Sequence, residues 1–259
     1  MKIVRFLDST SNEPAFGILE GDTVHAATGD LFSGLQKGEA IGPLSEMKVL
    51  APVDPGKVMA IGLNYVDHVT ENDPTRTIPT EPVVFMKPPS AIIGPGEAIE
   101  LGNTENNIDY EAELVVIIGT EAKDVEEADA LNHVLGYTVG NDVSDRVQQY
   151  SGGQWIRGKG YDTYLPLGPV IETDLDVTNV TVASRLNGEA RQSESTRSLI
   201  FSVPFLISYL SKTMTLFPGD LIMTGTPHGV GPMKDGDTIE VEVGGIGILS
   251  NPVRNRVRP

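Results

Sequence analysis

Asp109-Tyr110-Glu111-Ala112-Glu113-Leu114-Val115-Val116-Ile117-Ile118 sets two carboxylates two residues apart at the mouth of an apolar run. The run is short and rich in β-branched residues, which reads as a buried strand rather than a helix. Successive strand side chains alternate faces, so Glu111 and Glu113 point the same way, roughly 7 Å apart along the backbone. Two like charges on one face beside an apolar strand are costly without a counter-ion. The stretch therefore predicts both a central strand and a cation-binding edge.

Working outward, short strands dominate. Lys2 to Phe6, Phe16 to Leu19 and Thr23 to Ala26 form a small N-terminal strand-rich unit over residues 1–52, separated by polar turns. Leu50-Ala51-Pro52-Val53-Asp54-Pro55-Gly56 interrupts any element, which marks a boundary before a second unit at 53–259. Val58 to Ile61 is a strand. Asn64 to Asn72 has the character of a short helix, and Pro74, Pro79 and Pro82 follow it in a segment suited to a lid. After the Glu pair, Asp124 as N-cap with Glu127 three residues later predicts a helix over about 125–134. Leu135 to Asp142 is a strand. Ser202 to Ser211 is a helix with Pro204 in its first turn and an apolar stripe of Phe205, Leu206, Tyr209 and Leu210. Strands at Leu221 to Thr224, Thr238 to Val243 and Ile246 to Leu249 close the chain. The sum is a β-rich α/β fold.

Composition narrows the function. The 259 residues suffice for one large domain or a main domain with an appendage. A formal net charge of −17 offers no basic patch for a nucleic-acid backbone. The same acidity fits a well-solvated surface or a high-salt proteome. No cysteine is present, so thiolate nucleophiles and thiolate metal sites are excluded. No apolar stretch approaches the ~20 residues of a spanning helix, and Met1 to Leu7 lacks a signal peptide's apolar run. The expectation is a cytoplasmic protein with no membrane partner.

Three groups of residues carry candidate chemistry. Asp142 lies about thirty residues after the Glu pair, at the end of a strand. With Glu111 and Glu113 it offers three hard oxygen donors, a set suited to Mg²⁺ or Mn²⁺ with positions left for water and substrate. The plain alternative is a set of surface carboxylates with local partners. His68 and Glu71, at i and i+3, share a helix face, where a carboxylate orients the imidazole and raises its basicity. A solvated ion pair is the alternative there. Thr224-Gly225-Thr226-Pro227-His228-Gly229-Val230-Gly231 can present backbone N–H groups to an anion, or form a simple tight turn.

These blocks occur in a telling order. Gly62-Leu63-Asn64-Tyr65 with His68, Lys87-Pro88, Asp109-Tyr110-Glu111 with Glu113, Asn141-Asp142-Val143-Ser144, Trp155 with Gly158-Lys159-Gly160-Tyr161-Asp162-Thr163, Asn187-Gly188-Glu189, and Pro218-Gly219-Asp220 through Gly231 together resemble the fumarylacetoacetate hydrolase family from about residue 57 to 253. The N-terminal unit is similar to that of many bacterial members. The resemblance implies mixed β-sheets rolled around a buried metal site, a sandwich or roll, in a homodimer. It implies that Glu111, Glu113 and Asp142 hold Mg²⁺ or Mn²⁺. It gives His68 and Glu71 the roles of base and orienting acid on a lid. Lys159 becomes the cation beside the reacting carbonyl, with Thr163 close by, and Arg146, Gln149 and Thr226 become substrate contacts. Asp145 and Val147 depart from the family pattern and leave the local charge arrangement open.

The implied activity is metal-dependent hydrolysis of a carbon–carbon bond in a 2,4-dioxo acid of the acylpyruvate or fumarylpyruvate type, a step of aromatic catabolism. Oxaloacetate decarboxylation or oxo-acid isomerisation on the same scaffold is the alternative. A non-catalytic acidic module is disfavoured by the open three-oxygen shell.

Overall fold

A computed structural model describes residues 1–71 and 73–257. Its centre is the strand Ala112–Ile118, buried along its whole length. It pairs antiparallel with Val134–Asn141, from Ala112 opposite Asn141 to Ile118 opposite Val134, and with Leu221–Met223 on its other side. Alternation divides its side chains between two cores: Leu114, Val116 and Ile118 face one, Val115 and Ile117 the other. Burying such a side chain contributes about 1.5–3 kcal/mol each. That gain is what lets the strand carry Glu113 into the interior.

The large sheet continues from Leu221–Met223 to Val58–Gly62 and ends at Val83–Lys87. In the other direction it runs through Leu165–Glu172 to Lys2–Leu7, Pro14–Glu20, Thr23–Asp30 and Gly34–Pro43. The N-terminal strands are thus joined to the same sheet, with Lys2 opposite Glu172 and Ile3 opposite Ile171. The N-terminal ammonium adds an ion pair to Glu172 Oε1 at 2.8 Å. A five-stranded sheet, in the order Glu189–Ser195, Thr181–Leu186, Thr238–Val243, Gly247–Asn255 and Ile99–Leu101, packs its Val182, Ile239, Val241 and Val243 into the first core. A third, small sheet joins Ser144–Asp145, Ile108–Tyr110 and Gly231–Pro232. It brings the loop after Leu221–Met223 beside the start of the central strand.

The expected helix at 202–211 is present as Val203–Thr213, with the Ser202 hydroxyl accepting a hydrogen bond from the Phe205 amide. Leu206 and Leu210 are buried, and Phe205 stacks with Phe201 and Tyr209. The segment expected as a helix at about 125–134 is instead a 3-10 helix, Glu127–His133, with no side-chain cap. Asp124 adopts φ 51° rather than an N-cap geometry. Tertiary bonds decide this: the Asp124 and Val125 amides both donate to Ser211, on the neighbouring helix. The expected helix at 64–72 is a single turn, Val66–Thr70, and Asn72 lies outside the described residues. Gly34–Pro43 and Leu165–Glu172 are strands without a clear sequence signal, one exposed and broken by glycines, the other interrupted by Pro166, Gly168 and Pro169. No described helix is long and apolar enough to cross a membrane.

Candidate active site

The strand start at Ala112 and the strand end at Asn141 are hydrogen-bonded neighbours, so Glu111, Glu113 and Asp142 meet although about thirty residues separate them. The Asp142 amide donates to Glu111 O at 2.9 Å, and the Glu111 amide to Asn141 Oδ1 at 2.9 Å. All three carboxylates are buried, and each offers an oxygen within 4.8 Å of the others'. They are not surface acids with local partners.

Basic side chains crowd the same cluster. Lys159 Nζ lies 2.7 Å from Glu111 Oε2 and 2.7 Å from Asp142 Oδ2. Lys87 Nζ lies 2.6 Å from Asp142 Oδ1. Arg146 reaches Glu111 Oε1 at 2.6 Å through Nη1 and Asp109 Oδ2 at 2.7 Å through Nε. Among the described residues no side-chain cation pairs with Glu113, whose Oε2 accepts only from the Gly225 amide at 2.8 Å.

The titration behaviour follows from these contacts. Burial, then the charges of Asp142 and Glu111, push the Glu113 carboxyl well above its usual range. Burial acts the same way on Glu111, but Lys159 and Arg146 outweigh it and hold that carboxyl far below normal. Burial opposes the Lys159 ammonium, yet Asp142 and Glu111 overcome it and raise its pKa. Lys87 is the reverse: burial dominates and lowers it despite Asp142.

Four carboxylates (Asp109, Glu111, Glu113 and Asp142) thus face three long basic side chains, and the uncompensated acid is Glu113. An uncompensated buried carboxylate costs several kcal/mol unless it is protonated or neutralised. Three convergent hard oxygens with one unneutralised charge fit a divalent cation of the Mg²⁺ or Mn²⁺ kind. When bound, such an ion would supply a Lewis acid for a carbonyl oxygen and an adjacent carboxylate.

A small cavity opens onto Glu111 and Glu113, and His68, Arg146, Gln149, Lys159 and Thr226 line it as well. His68 Nδ1 lies 3.0 Å from Glu71 Oε2, as the i, i+3 spacing on Val66–Thr70 requires. Glu71 Oε1 accepts from the Gly229 amide at 2.7 Å. Burial works against the Glu71 carboxylate, but the hydrogen bonds from His68 and Gly229 overcome it and lower its pKa. The glycine-rich loop at 224–231 therefore does bind anions through backbone N–H groups, and the anions are the chain's own Glu113 and Glu71.

The remaining expected residues divide. Gln149 accepts from Arg146 Nη1 at 3.0 Å, and Arg146 Nη2 is buried with no partner. Thr226 Oγ1 accepts from Gln192 Nε2 at 2.8 Å. Thr163 faces away from this chemistry: its hydroxyl accepts from the Glu100 amide at 2.8 Å. Asp145 caps the helix Arg146–Tyr150 by accepting from the Gln148 amide, and it also accepts from Asn106 Nδ2; Val147 is exposed. The departures at those two positions therefore leave the carboxylate cluster undisturbed.

Several residues around the site had no assigned role in the sequence. Lys87 is fully buried; the sequence marks it as part of the Lys87-Pro88 block, at the end of the apolar run Val83-Val84-Phe85-Met86, but gives it no role. Gln192 bonds the Ala112 amide, Ser184, Thr226 and the Pro227 carbonyl, linking the central strand to the glycine loop. Asn64, just before the helix Val66–Thr70, is tied to the Phe201 backbone and the Thr224 carbonyl. Leu63, also lining the cavity, sits at φ 59°, a region that costs a non-glycine residue about 1–3 kcal/mol.

Residues 57–254 match the family model of the fumarylacetoacetate (FAA) hydrolase C-terminal region. The chain belongs to the fumarylacetoacetate hydrolase family. Its residues 1–52 match a second model, described as Rv2993c-like, N-terminal. Among relatives of this family member, Protein Rv2993c of Mycobacterium tuberculosis is 45% identical over 84% of this chain and 82% of its own length. An oxaloacetate tautomerase, fahd2, mitochondrial, of Xenopus laevis is 40% identical over 85% of this chain and 73% of its own. Of solved structures, 5-carboxymethyl-2-hydroxymuconate delta-isomerase from Mycobacterium smegmatis aligns with a TM-score of 0.90 at 42% identity, covering 99% of this chain and 100% of that one. Maleylpyruvate hydrolase from Sphingobium, solved with manganese(II) and pyruvate, aligns with a TM-score of 0.81 at 29% identity, with coverage of 99% and 100%. Members similar to this chain are thus enzymes named as hydrolases, isomerases and tautomerases.

Proposed function

We propose that this family member is a divalent-cation-dependent hydrolase that cleaves a carbon–carbon bond in a 2,4-dioxo acid of the acylpyruvate type. The observation that carries the reading is His68, held 3.0 Å from Glu71 and lining the same cavity as Glu111 and Glu113. A base oriented by a carboxylate, beside a cation site, is the equipment for moving a proton next to a polarised carbonyl.

Glu111, Glu113 and Asp142 would hold the ion, Mg²⁺ or Mn²⁺. His68, with Nδ1 engaged by Glu71, presents its other ring nitrogen to a water and takes a proton from it. The hydroxide so formed adds to the distal carbonyl carbon. Lys159 and Arg146, whose Nη2 lacks a partner, donate to the developing oxyanion. The bond between the former carbonyl carbon and the central methylene then breaks. It leaves a carboxylic acid and the enolate of pyruvate, and the proton on His68 passes to that enolate carbon. Thr226 and Gln149 hold the substrate's polar groups.

Keto–enol tautomerisation of oxaloacetate is the second reading, favoured by the 40% identity to the Xenopus tautomerase. The same His68 would then shuttle the proton between carbon and oxygen, with no water consumed. Decarboxylation of oxaloacetate belongs to the same alternative. The reading also includes a homodimer, supported by exposed Val84 and Met86 on Val83–Lys87, the strand that ends the large sheet. Light scattering tests that state.

The function is tested with chelator-stripped protein, to which Mg²⁺ or Mn²⁺ is added back. Ultraviolet decay of an acylpyruvate is followed beside the enol band and total amount of oxaloacetate. Cation-dependent diketone decay supports hydrolysis. An inert diketone with accelerated enol exchange, or with oxaloacetate loss, replaces hydrolysis by tautomerisation or decarboxylation respectively.

A further inference from the structure

Four basic side chains line the cavity: His68, Arg76, Arg146 and Lys159. Three of them are committed. His68 is bonded to Glu71, Arg146 to Asp109 and Glu111, and Lys159 to Glu111 and Asp142. Arg76 alone makes no side-chain hydrogen bond or ion pair among the described residues.

Its backbone belongs to a hydrogen-bonded turn at the cavity's edge. Arg76 closes a turn in which its amide donates to the Asp73 carbonyl at 3.0 Å. Asp73 feels the charge of Arg76, but its Oδ1 is taken by the Thr75 amide at 2.9 Å and the Thr75 hydroxyl at 2.7 Å. The guanidinium is therefore delivered to the cavity without a protein partner for its fork.

That arrangement is incomplete for a protein of net charge −17. A substrate anion approaches against the field of the whole molecule, and a dianion does so at greater cost. A free guanidinium matches a carboxylate in a bidentate, charge-assisted contact. The head of a 2-oxo acid belongs at the carboxylate cluster with Arg146 and Lys159. Arg76 stands on the separate 73–76 turn, available to whatever the substrate carries at its other end.

We infer that Arg76 is a specificity-determining residue that binds a second carboxylate at the far end of the substrate, so that the enzyme prefers dicarboxylic 2-oxo acids to those with neutral tails. The inference rests on the 2-oxo acid reading above, but not on which bond is broken. Among diketones it selects acylpyruvates whose acyl group ends in a carboxylate. Among simple oxo acids it selects oxaloacetate.

The test uses the full chain with Mg²⁺ and two probes of equal chain length, 2-oxoglutarate and 2-oxovalerate, which differ in a terminal carboxylate or methyl. Calorimetry compares the wild type, Arg76→Ala and Arg76→Lys. Arg76 is exposed, so the alanine variant should fold within about 0.5 kcal/mol of the wild type. The wild type is expected to prefer 2-oxoglutarate. The alanine variant should lose roughly 10-fold of that preference, the magnitude of one charge-assisted contact, and the lysine variant should keep part of it. In turnover the same shift should fall on KM for the acylpyruvate with a terminal carboxylate, more than on one with a neutral tail.

An unchanged preference in Arg76→Ala, equal weakening of both probes, or no binding of either probe to the wild type would overturn the assignment. Wild-type protein that turns over no acylpyruvate, yet shows the Arg76-dependent binding preference, would remove the hydrolase reading and leave this one standing.

Discussion

Lys159 Nζ and Asp142 Oδ2 lie 2.7 Å apart in a fully buried contact, and the same ammonium is 2.7 Å from Glu111 Oε2. One cation therefore bridges two of the three candidate ion ligands and holds them at the spacing from which Glu113 is left over. The lysine does structural work before any chemistry begins.

Lys159→Met should destabilise the cation-free protein by about 1.5–3 kcal/mol, because Glu111 and Asp142 lose the cation they share and keep only Arg146 and Lys87. Added Mg²⁺ should recover part of that loss. Urea denaturation with and without Mg²⁺ measures both effects. A variant as stable as the wild type without the ion would mean that the bridge contributes nothing.

Glu113 sets a pH dependence of defined sign. Its folded-state pKa is raised above the unfolded value by burial and by Asp142 and Glu111. Protonation therefore favours the folded state, and the cation-free protein loses this contribution as pH climbs from the unfolded carboxyl value through the folded one. Cation binding requires the carboxylate and displaces the proton. The Tm gain from Mg²⁺ should thus grow as pH rises above the ordinary carboxyl range, and Glu113→Gln should flatten that slope. A Tm gain independent of pH would contradict the raised carboxyl.

Gly158 is where the helix Ile156–Lys159 crosses its neighbour. A Cβ there would lie 2.5 Å from the Gln149 amide nitrogen and 2.7 Å from the Asp145 carbonyl. Backbone cannot yield cheaply at such a crossing, so Gly158→Ala should push Lys159 and Gln149 apart and lower kcat/KM by about 10²-fold. Steady-state kinetics beside a thermal melt read the displacement. Unchanged kinetics would show that the crossing has slack.

Much of this arrangement is legible in the sequence, for physical reasons. A continuous β-branched run marks Ala112–Ile118, which is buried along its whole length, and period-two alternation marks Thr238–Val243, which buries one apolar face. The Glu111, Glu113, Asp142 and His68 set is visible because its chemistry demands particular residue types. Other parts depend on partners distant in the chain. Asp124 is held out of helical geometry by Ser211, and Gln192 becomes important only because the central strand and the glycine loop both lie beside it. Gly34–Pro43 is mostly exposed at the sheet's edge, so no apolar periodicity announces it. Lys87 and the free guanidinium of Arg76 acquire meaning only from the charges around them.

The central claim is that His68, oriented by Glu71, moves the proton while Glu111, Glu113 and Asp142 hold the ion. His68→Ala separates these tasks most directly when cation affinity by calorimetry and turnover of an acylpyruvate and oxaloacetate are measured on the same preparation. Turnover should fall by about 10²–10⁴-fold, the usual worth of a positioned general base, with Mg²⁺ affinity close to that of the wild type. Equal loss of binding and turnover, or turnover that survives the substitution, would contradict the account.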